Sequence, residues 1–162
     1  MTTTEYNECV ELWADGVFRF IVKNLRHEED ARDVVQNAFE VLWKNHSDID
    51  AAKAKSYLFS TAYHNMIDLI RKQKRVDYVE EVEEGARGGT SAYQVDLKEA
   101  LDKALARLPE IQRNAVLLRD YEGYSYEEIG EILELTESQV KVYIFRARTT
   151  LKKYLVSIHH LI

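Results

Sequence analysis

The stretch from Leu135 to Leu155, LTESQVKVYIFRARTTLKKYL, decides how the chain is read. From Ser138 onward it carries Lys141, Arg146, Arg148, Lys152 and Lys153, and no acid. The overlapping segment before it, DYEGYSYEEIGEILELTE from Asp120 to Glu137, carries Asp120, Glu122, Glu127, Glu128, Glu131, Glu134 and Glu137, and no base. SYEE, from Ser125 to Glu128, has the form of a capping box, a hydroxyl residue followed three places later by Glu. TESQ, from Thr136 to Gln139, repeats the form with Gln in the third place. The two starts leave room for a short helix and a tight turn. Ile129, Leu133, Leu135, Val140 and Tyr143 or Ile144 supply apolar faces, and Gly130 is small where two helices would cross. This is the layout of a helix-turn-helix, whose second helix enters the major groove of DNA.

On that second helix Val140, Ile144, Ala147, Leu151 and Leu155 form one stripe at steps of three and four. Lys141, Phe145, Arg148 and Lys152 form another, with Arg146 and Lys153 beside it. One stripe packs and the other faces outward, where cations neutralise phosphates and those nearest the helix start reach base edges. The competing reading is an ordinary amphipathic helix with a solvated cationic face. Two capping boxes and a neighbour of opposite charge favour nucleic acid.

The rest of the chain constrains the class. With 162 residues it holds one ordinary domain or two small ones. Hydrophobic residues make up 46%, enough for a core. One Pro and six Gly favour helices over a strand-rich fold. The net charge of -6 argues against DNA binding through bulk charge, so any such binding needs local cations or a helping partner. Cys9 is the only cysteine, which excludes an internal disulfide and fits a reducing, cytoplasmic setting. The N-terminus lacks a secretory pattern, and no apolar run approaches the ~20 residues of a membrane span, so direct membrane insertion is not expected.

The expected fold is all-α, with two small helical domains joined by a flexible acidic linker. In residues 1–76, Leu12, Val17, Phe18, Ile21, Val22 and Leu25 outline a first helix. Val34, Val35, Ala38, Phe39, Val41, Leu42 and Trp43 outline a second, after the acidic start HEEDARD. HSDIDAAKAK reads as a loop. A third helix runs from about Ser56 to Arg75, with Leu58, Ala62, Met66, Leu69 and Ile70 inward. Residues 77–95 combine Asp77, Glu80, Glu81, Glu83 and Glu84 with a Gly-rich stretch and read as the linker. Its acids either solvate it or fold back on a basic surface. Residues 96–162 open with Leu97, Leu101, Ala104, Leu105 and Leu108. Pro109 is placed to start the next helix, and Gly123 to stop it.

Nothing in the chain suggests catalysis or a cofactor. His27, His46, His64, His159 and His160 show no metal spacing with Cys9; the adjacent His159 and His160 support at most a weak accidental site. Glu28, Glu29 and Asp30 are explained by a helix start. There is no phosphate-binding glycine loop and no nucleophile elbow. Trp13 and Trp43 read as core.

LPEIQRNAVLLRDYEGYSYEEIGEILELTESQVKVYIFRARTTLKKYL resembles region 4 of the bacterial extracytoplasmic-function (ECF) sigma factors. DARDVVQNAFEVLWKN together with KSYLFSTAYHNMIDLIRKQKR resembles their region 2. The likeness covers nearly the whole chain, in the order region 2, linker, region 4. It implies a subunit that binds core RNA polymerase and directs promoter-specific initiation, with the chemistry left to the polymerase and no small-molecule substrate.

The resemblance also assigns residues. Asp33, Gln36, Asn37 and Glu40 lie on the helix face that docks on the polymerase. The third helix and the loop before it, about Asp48 to Lys55, recognise and melt the -10 element. There Tyr57, Phe59 and Tyr63 stack on flipped bases, while Arg71, Lys72 and Arg75 hold backbone. Region 4 reads the -35 element through Ser138, Lys141, Val142, Phe145 and Arg146, with Arg148 as a phosphate contact. An anti-sigma factor, often membrane-bound, is the expected inhibitor. Two positions depart from the pattern. Relatives carry Asn where this chain has His64, followed by Asn65, so either residue takes that role. The helix-turn-helix turn usually has Gly where this chain has Glu134, and a non-Gly residue at positive φ costs roughly 1 kcal/mol, so a differently shaped turn is a possibility. The alternatives are a stand-alone helix-turn-helix regulator with a sensor or dimerisation lobe, and an adaptor that uses the first lobe alone.

Overall fold

The computed structural model describes residues 1–80 and 97–160. Among them the chain forms helices and no strand. Helix α1 (Thr3–Leu25) starts at a reciprocal capping box: Thr2 Oγ1 accepts from the Glu5 amide, and the Glu5 carboxylate accepts from the Thr2 amide. It ends where Arg26 turns left-handed, at φ 57°. Helix α2 (Glu28–Asn45) begins with His27 capping Asp30, and its three first-turn acids meet the positive end of the helix dipole. Two short 3-10 turns, His46–Asp48 and Ala51–Lys53, replace the expected open loop. Helix α3 (Ala54–Glu80) therefore starts earlier and runs further than its apolar pattern indicates. The first four residues assigned to the linker are helical; the rest of that segment lies outside the described residues, as do the side chains of His159 and His160.

The second lobe comprises α4 (Leu97–Arg107), α5 (Glu110–Val116), α6 (Tyr126–Leu133) and α7 (Glu137–His160). Pro109 is the residue before α5 rather than its first, and α5 widens into a π-turn over Leu117–Tyr121. Gly123 then stops it at φ 75°, a value glycine adopts without strain. Of the two capping boxes in the decisive stretch, the one at Thr136 forms reciprocally, while at Ser125 the Glu128 carboxylate accepts from the Ser125 hydroxyl. Ser125 Oγ accepts from the Glu128 amide at 3.1 Å. Thr136 Oγ1 accepts from the Gln139 amide at 3.2 Å, while the Gln139 side chain accepts from the Thr136 amide at 2.9 Å. The turn keeps its shape without glycine: Glu134 adopts φ 58° and ψ 48° as the α6 cap. Gly130 permits the close crossing, because a Cβ there would lie 2.7 Å from the Leu135 carbonyl oxygen.

The lobes share one continuous core. Helices α1, α2 and α3 pack together, α4, α5 and α6 pack on α7, and α3 also packs on α6. The sequence pattern assigns α3 a single inward face, but two are buried. Leu58, Ala62 and Met66 belong to the first lobe's core, and Phe59 lies between Phe20 and Tyr124, with centroids 5.9 Å and 4.9 Å away. Two residues expected inside are instead exposed. Leu12 faces solvent, and Trp43, 44% exposed, stacks on His46 at the end of α2.

Candidate nucleic-acid interface

Helix α7 separates its faces as its sequence pattern requires. Val140, Ile144 and Ala147 are buried against α5 and α6. Ser138, Lys141, Val142, Phe145 and Arg146 are all exposed on the opposite side. Phe145 is 72% exposed, which is costly for a phenyl ring in water and is typical of a surface that meets a partner. Lys141 lies 3.8 Å from Glu137, a loose surface pair that competes weakly with a phosphate. Arg146 has no ion-pair partner among the described residues. Arg148 differs from these cations. Its guanidinium donates to both carboxylate oxygens of Asp120, at 2.9 Å and 2.5 Å, and this fork ties the middle of α7 to the π-turn. Asp120 also raises the Arg148 pKa.

A second surface lies on α3 and the turns before it. Lys53, Ser56, Tyr57, Ser60, Thr61, His64 and Asn65 line an open cavity of about 450 Å³. Tyr57 presents its ring there, and its hydroxyl accepts from Asn45 Nδ2 at 3.3 Å. Tyr63 is half-buried, and burial raises its pKa. Phe59 is a correction to the sequence assignment: it is fully buried, and in this arrangement no base can reach it. Arg71, Lys72 and Arg75 are exposed further along α3. Asp33, Gln36, Asn37 and Glu40 are exposed on α2, with Gln36 donating to Glu40 at 3.2 Å. Asn65 Nδ2 donates to Asn37 Oδ1, so the α2 face and the α3 cavity share a hydrogen bond.

The sequence reading missed how the lobes are joined. Arg19 grips Glu122 through Nε and Nη2, both at 2.9 Å. Lys55 contacts Glu128 at 2.7 Å and lies 3.9 Å over the Tyr124 ring. Lys23 meets Asp102 at 2.7 Å, and Arg113 Nε donates to Asn24 at 2.7 Å. Lys55 lowers the Glu128 pKa, and burial raises that of Tyr124. The acidic segment is thus not merely excused from the groove. Asp120 braces α7, and Glu122 and Glu128 hold cations of the first lobe. Glu134 approaches His64 at 3.5 Å, so the two departures from the family pattern meet each other. The only advance sign of this docking is the surplus of acid between Asp120 and Glu137.

Comparison with known proteins finds both halves. Residues 9–76 match the family described as Sigma-70 region 2, and residues 98–151 match Sigma-70, region 4. The ECF RNA polymerase sigma factor SigM of Bacillus subtilis is 28% identical over 150 residues, covering 90% of this chain and 92% of that protein. SigW of the same organism is 27% identical over 165 residues, covering 93% and 88%. Among solved structures, the sigma factor RpoE in complex with the anti-sigma factor NepR from Bartonella quintana superposes with a TM-score of 0.78 at 22% identity, covering 94% of this chain and 98% of that one. CnrH in complex with the cytosolic domain of CnrY gives 0.70 at 22% identity, covering 94% and 88%. At that identity the structural likeness is one of fold.

Proposed function

The chain belongs to the sigma-70 family, among its ECF sigma factors, and on that premise we propose that its two exposed surfaces divide promoter recognition between them. It binds core RNA polymerase and directs initiation at specific promoters, while the polymerase performs the chemistry. Helix α7 reads the -35 element, with Ser138, Lys141 and Arg146 contacting base edges and phosphates, and with Val142 and Phe145 making apolar contacts. The α3 cavity takes bases of the melted -10 element against Tyr57, with Tyr63 outside the cavity lining on the same helix and Arg71, Lys72 and Arg75 along the backbone. Asp33, Gln36, Asn37 and Glu40 dock on the polymerase.

The observation that carries this reading is the pairing, in one acidic chain, of a region 2 match with a region 4 match whose recognition helix exposes Lys141, Phe145 and Arg146. A stand-alone regulator leaves the first match unexplained. Arg148 acts as a brace through Asp120 rather than as a leading phosphate contact. As a partner of core RNA polymerase, the protein works in the cytoplasm. Among the described residues, no helix is long and apolar enough to cross a membrane. An anti-sigma factor holds it inactive, covering the face of Asp33 and Gln36; one solved protein of the same fold, RpoE of Bartonella quintana, is in complex with the anti-sigma factor NepR. The test is transcription with core polymerase and the Lys141→Glu, Arg146→Glu double variant. Promoter-specific transcripts should disappear while polymerase binding survives. Full activity of the variant would remove α7 from -35 recognition.

A further inference from the structure

The acids that join the lobes land on the part of the first lobe proposed to meet the melted strand. Lys55 closes the segment 48–55 that precedes and opens α3. Its ammonium lies 2.7 Å from the Glu128 carboxylate and 3.9 Å over the Tyr124 ring. With these two neighbours the Lys55 side chain is only 26% exposed, so a phosphate reaches it by displacing them. Carboxylate and phosphate oxygens accept the same charge-assisted hydrogen bonds from an ammonium. Six positions after Glu128, Glu134 Oε1 stands 3.5 Å from Nε2 of His64, which lines the α3 cavity. Six positions before it, Glu122 clasps Arg19 on α1 with both carboxylate oxygens. Gly16 makes that clasp possible: a Cβ there would lie 3.2 Å from Glu122 Oε2 and 3.7 Å from the Phe59 ring.

We infer that the acidic segment of the second lobe is a built-in competitor of the DNA strand: Glu128 and Glu134 take the place of backbone phosphates on the first lobe, Glu122 holds them there, and the chain gains DNA affinity only when these contacts break. The inference rests on the proposed -10 reading and deepens it. It also gives the charge sorting a second purpose. Cations on α7 serve DNA, and acids on the neighbouring segment serve the first lobe in DNA's absence. The reach of the molecule agrees. Elements at -10 and -35 are about 25 base pairs apart, roughly 85 Å along B-DNA, whereas a packed chain of this length is about 40 Å across. The closed form therefore cannot hold both elements, and promoter recognition belongs to the open one. A strand that binds only the open form sees its affinity reduced by the fraction of molecules that are open.

The test is binding of a fluorescein-labelled single DNA strand of random sequence to the free protein, read by anisotropy, with lobe separation read by small-angle scattering. Two independent changes open the lobes. The Glu122→Gln, Glu128→Gln double variant removes the competing charges. Gly16→Gln adds a wedge at the clasp without altering net charge, and glutamine suits the middle of α1 better than glycine. Both should enlarge the protein and tighten strand binding by at least about fivefold, following the rise in open fraction. Glu127→Gln with Glu131→Gln removes the same charge from exposed positions of α6 and should tighten binding far less. Adding Tyr57→Ala to the wedge variant should abolish its gain, because the strand then loses its stacking surface. No gain in either opening variant overturns the inference, whether or not the lobes part. An equal gain in the Glu127, Glu131 control, or a gain that survives Tyr57→Ala, overturns it too. Circular dichroism of each variant verifies that the helices are kept. Discrete starts by wild type with core polymerase keep the sigma reading whatever the binding shows; failure of every protein to give such starts or to bind the strand overturns both.

Discussion

Replacing Glu122 with Gln should loosen the contact between the lobes by a calculable amount. The Glu122 side chain is only 4% exposed and accepts two hydrogen bonds from Arg19, both at 2.9 Å. Gln can accept one of these, but its amide protons then face the guanidinium. Hydrogen bonds to charged groups contribute about 1.5–3 kcal/mol each. Arg19 is half exposed, so water replaces much of what it loses, and solvent screening reduces the total to about 1–2 kcal/mol. That corresponds to roughly a 5- to 30-fold rise in the ratio of open to closed molecules. Lys55–Glu128, Lys23–Asp102 and the Phe59–Tyr124 contact remain, so the closed form persists as one population. The assay is single-molecule energy transfer between dyes on cysteines introduced at Lys44 and Lys153, with Cys9 replaced by Ala. Arg19→Gln should act in the same direction, and the double variant should add little, because both changes remove the same pair. An unchanged open fraction in the folded Glu122→Gln protein would refute the reasoning.

The closed form should also respond to acid. Lys55 holds the Glu128 pKa below its ordinary value of 4.5. The pair's stabilisation is therefore complete above the ordinary carboxylate range and is lost as pH falls through the lowered value. Energy transfer should fall below about pH 4.5 in wild type, and Glu128→Gln should lack that part of the pH dependence. Glu134→Gly should raise thermal stability, since it relieves a left-handed backbone at a cost of roughly 1 kcal/mol; an unchanged or lower melting temperature would contradict this. Gly130→Ala should lower stability, because its Cβ would meet the Leu135 carbonyl oxygen at 2.7 Å, and a thermal melt is sufficient to test it. Arg146→Ala should flatten the salt dependence of promoter binding by about one phosphate contact, as read from the slope of affinity against salt.

How much of this was legible in the sequence follows from which interactions are local. Capping boxes, the α6–α7 turn and the outward stripe of α7 depend on residues within a few positions of each other, and sequence spacing records them. Phe59 shows where spacing fails. It adjoins Leu58, and one helical face can hold only one of them toward the first lobe. It packs on Phe20 of α1 and, across the lobes, on Tyr124 in the turn before α6. The Arg19–Glu122 pair is invisible for the same reason, since partners 103 positions apart leave no local pattern. Trp43 was misplaced in the opposite sense. A large ring on an apolar stripe looks buried, but it falls at the end of α2, where it meets the rings of His46 and Tyr6 and stays partly in water. Arg148 reads like its neighbours on α7, and only the π-turn that brings Asp120 beside it reveals the brace.

The central claim is that this chain gives promoter specificity to a polymerase that lacks it. The most direct measurement is transcription in vitro by bacterial core RNA polymerase on a pool of genomic fragments, with and without the protein. The account predicts that the protein makes core polymerase start at discrete sites sharing two spaced elements. Starts that remain non-specific, while the protein alone binds particular fragments, would contradict it.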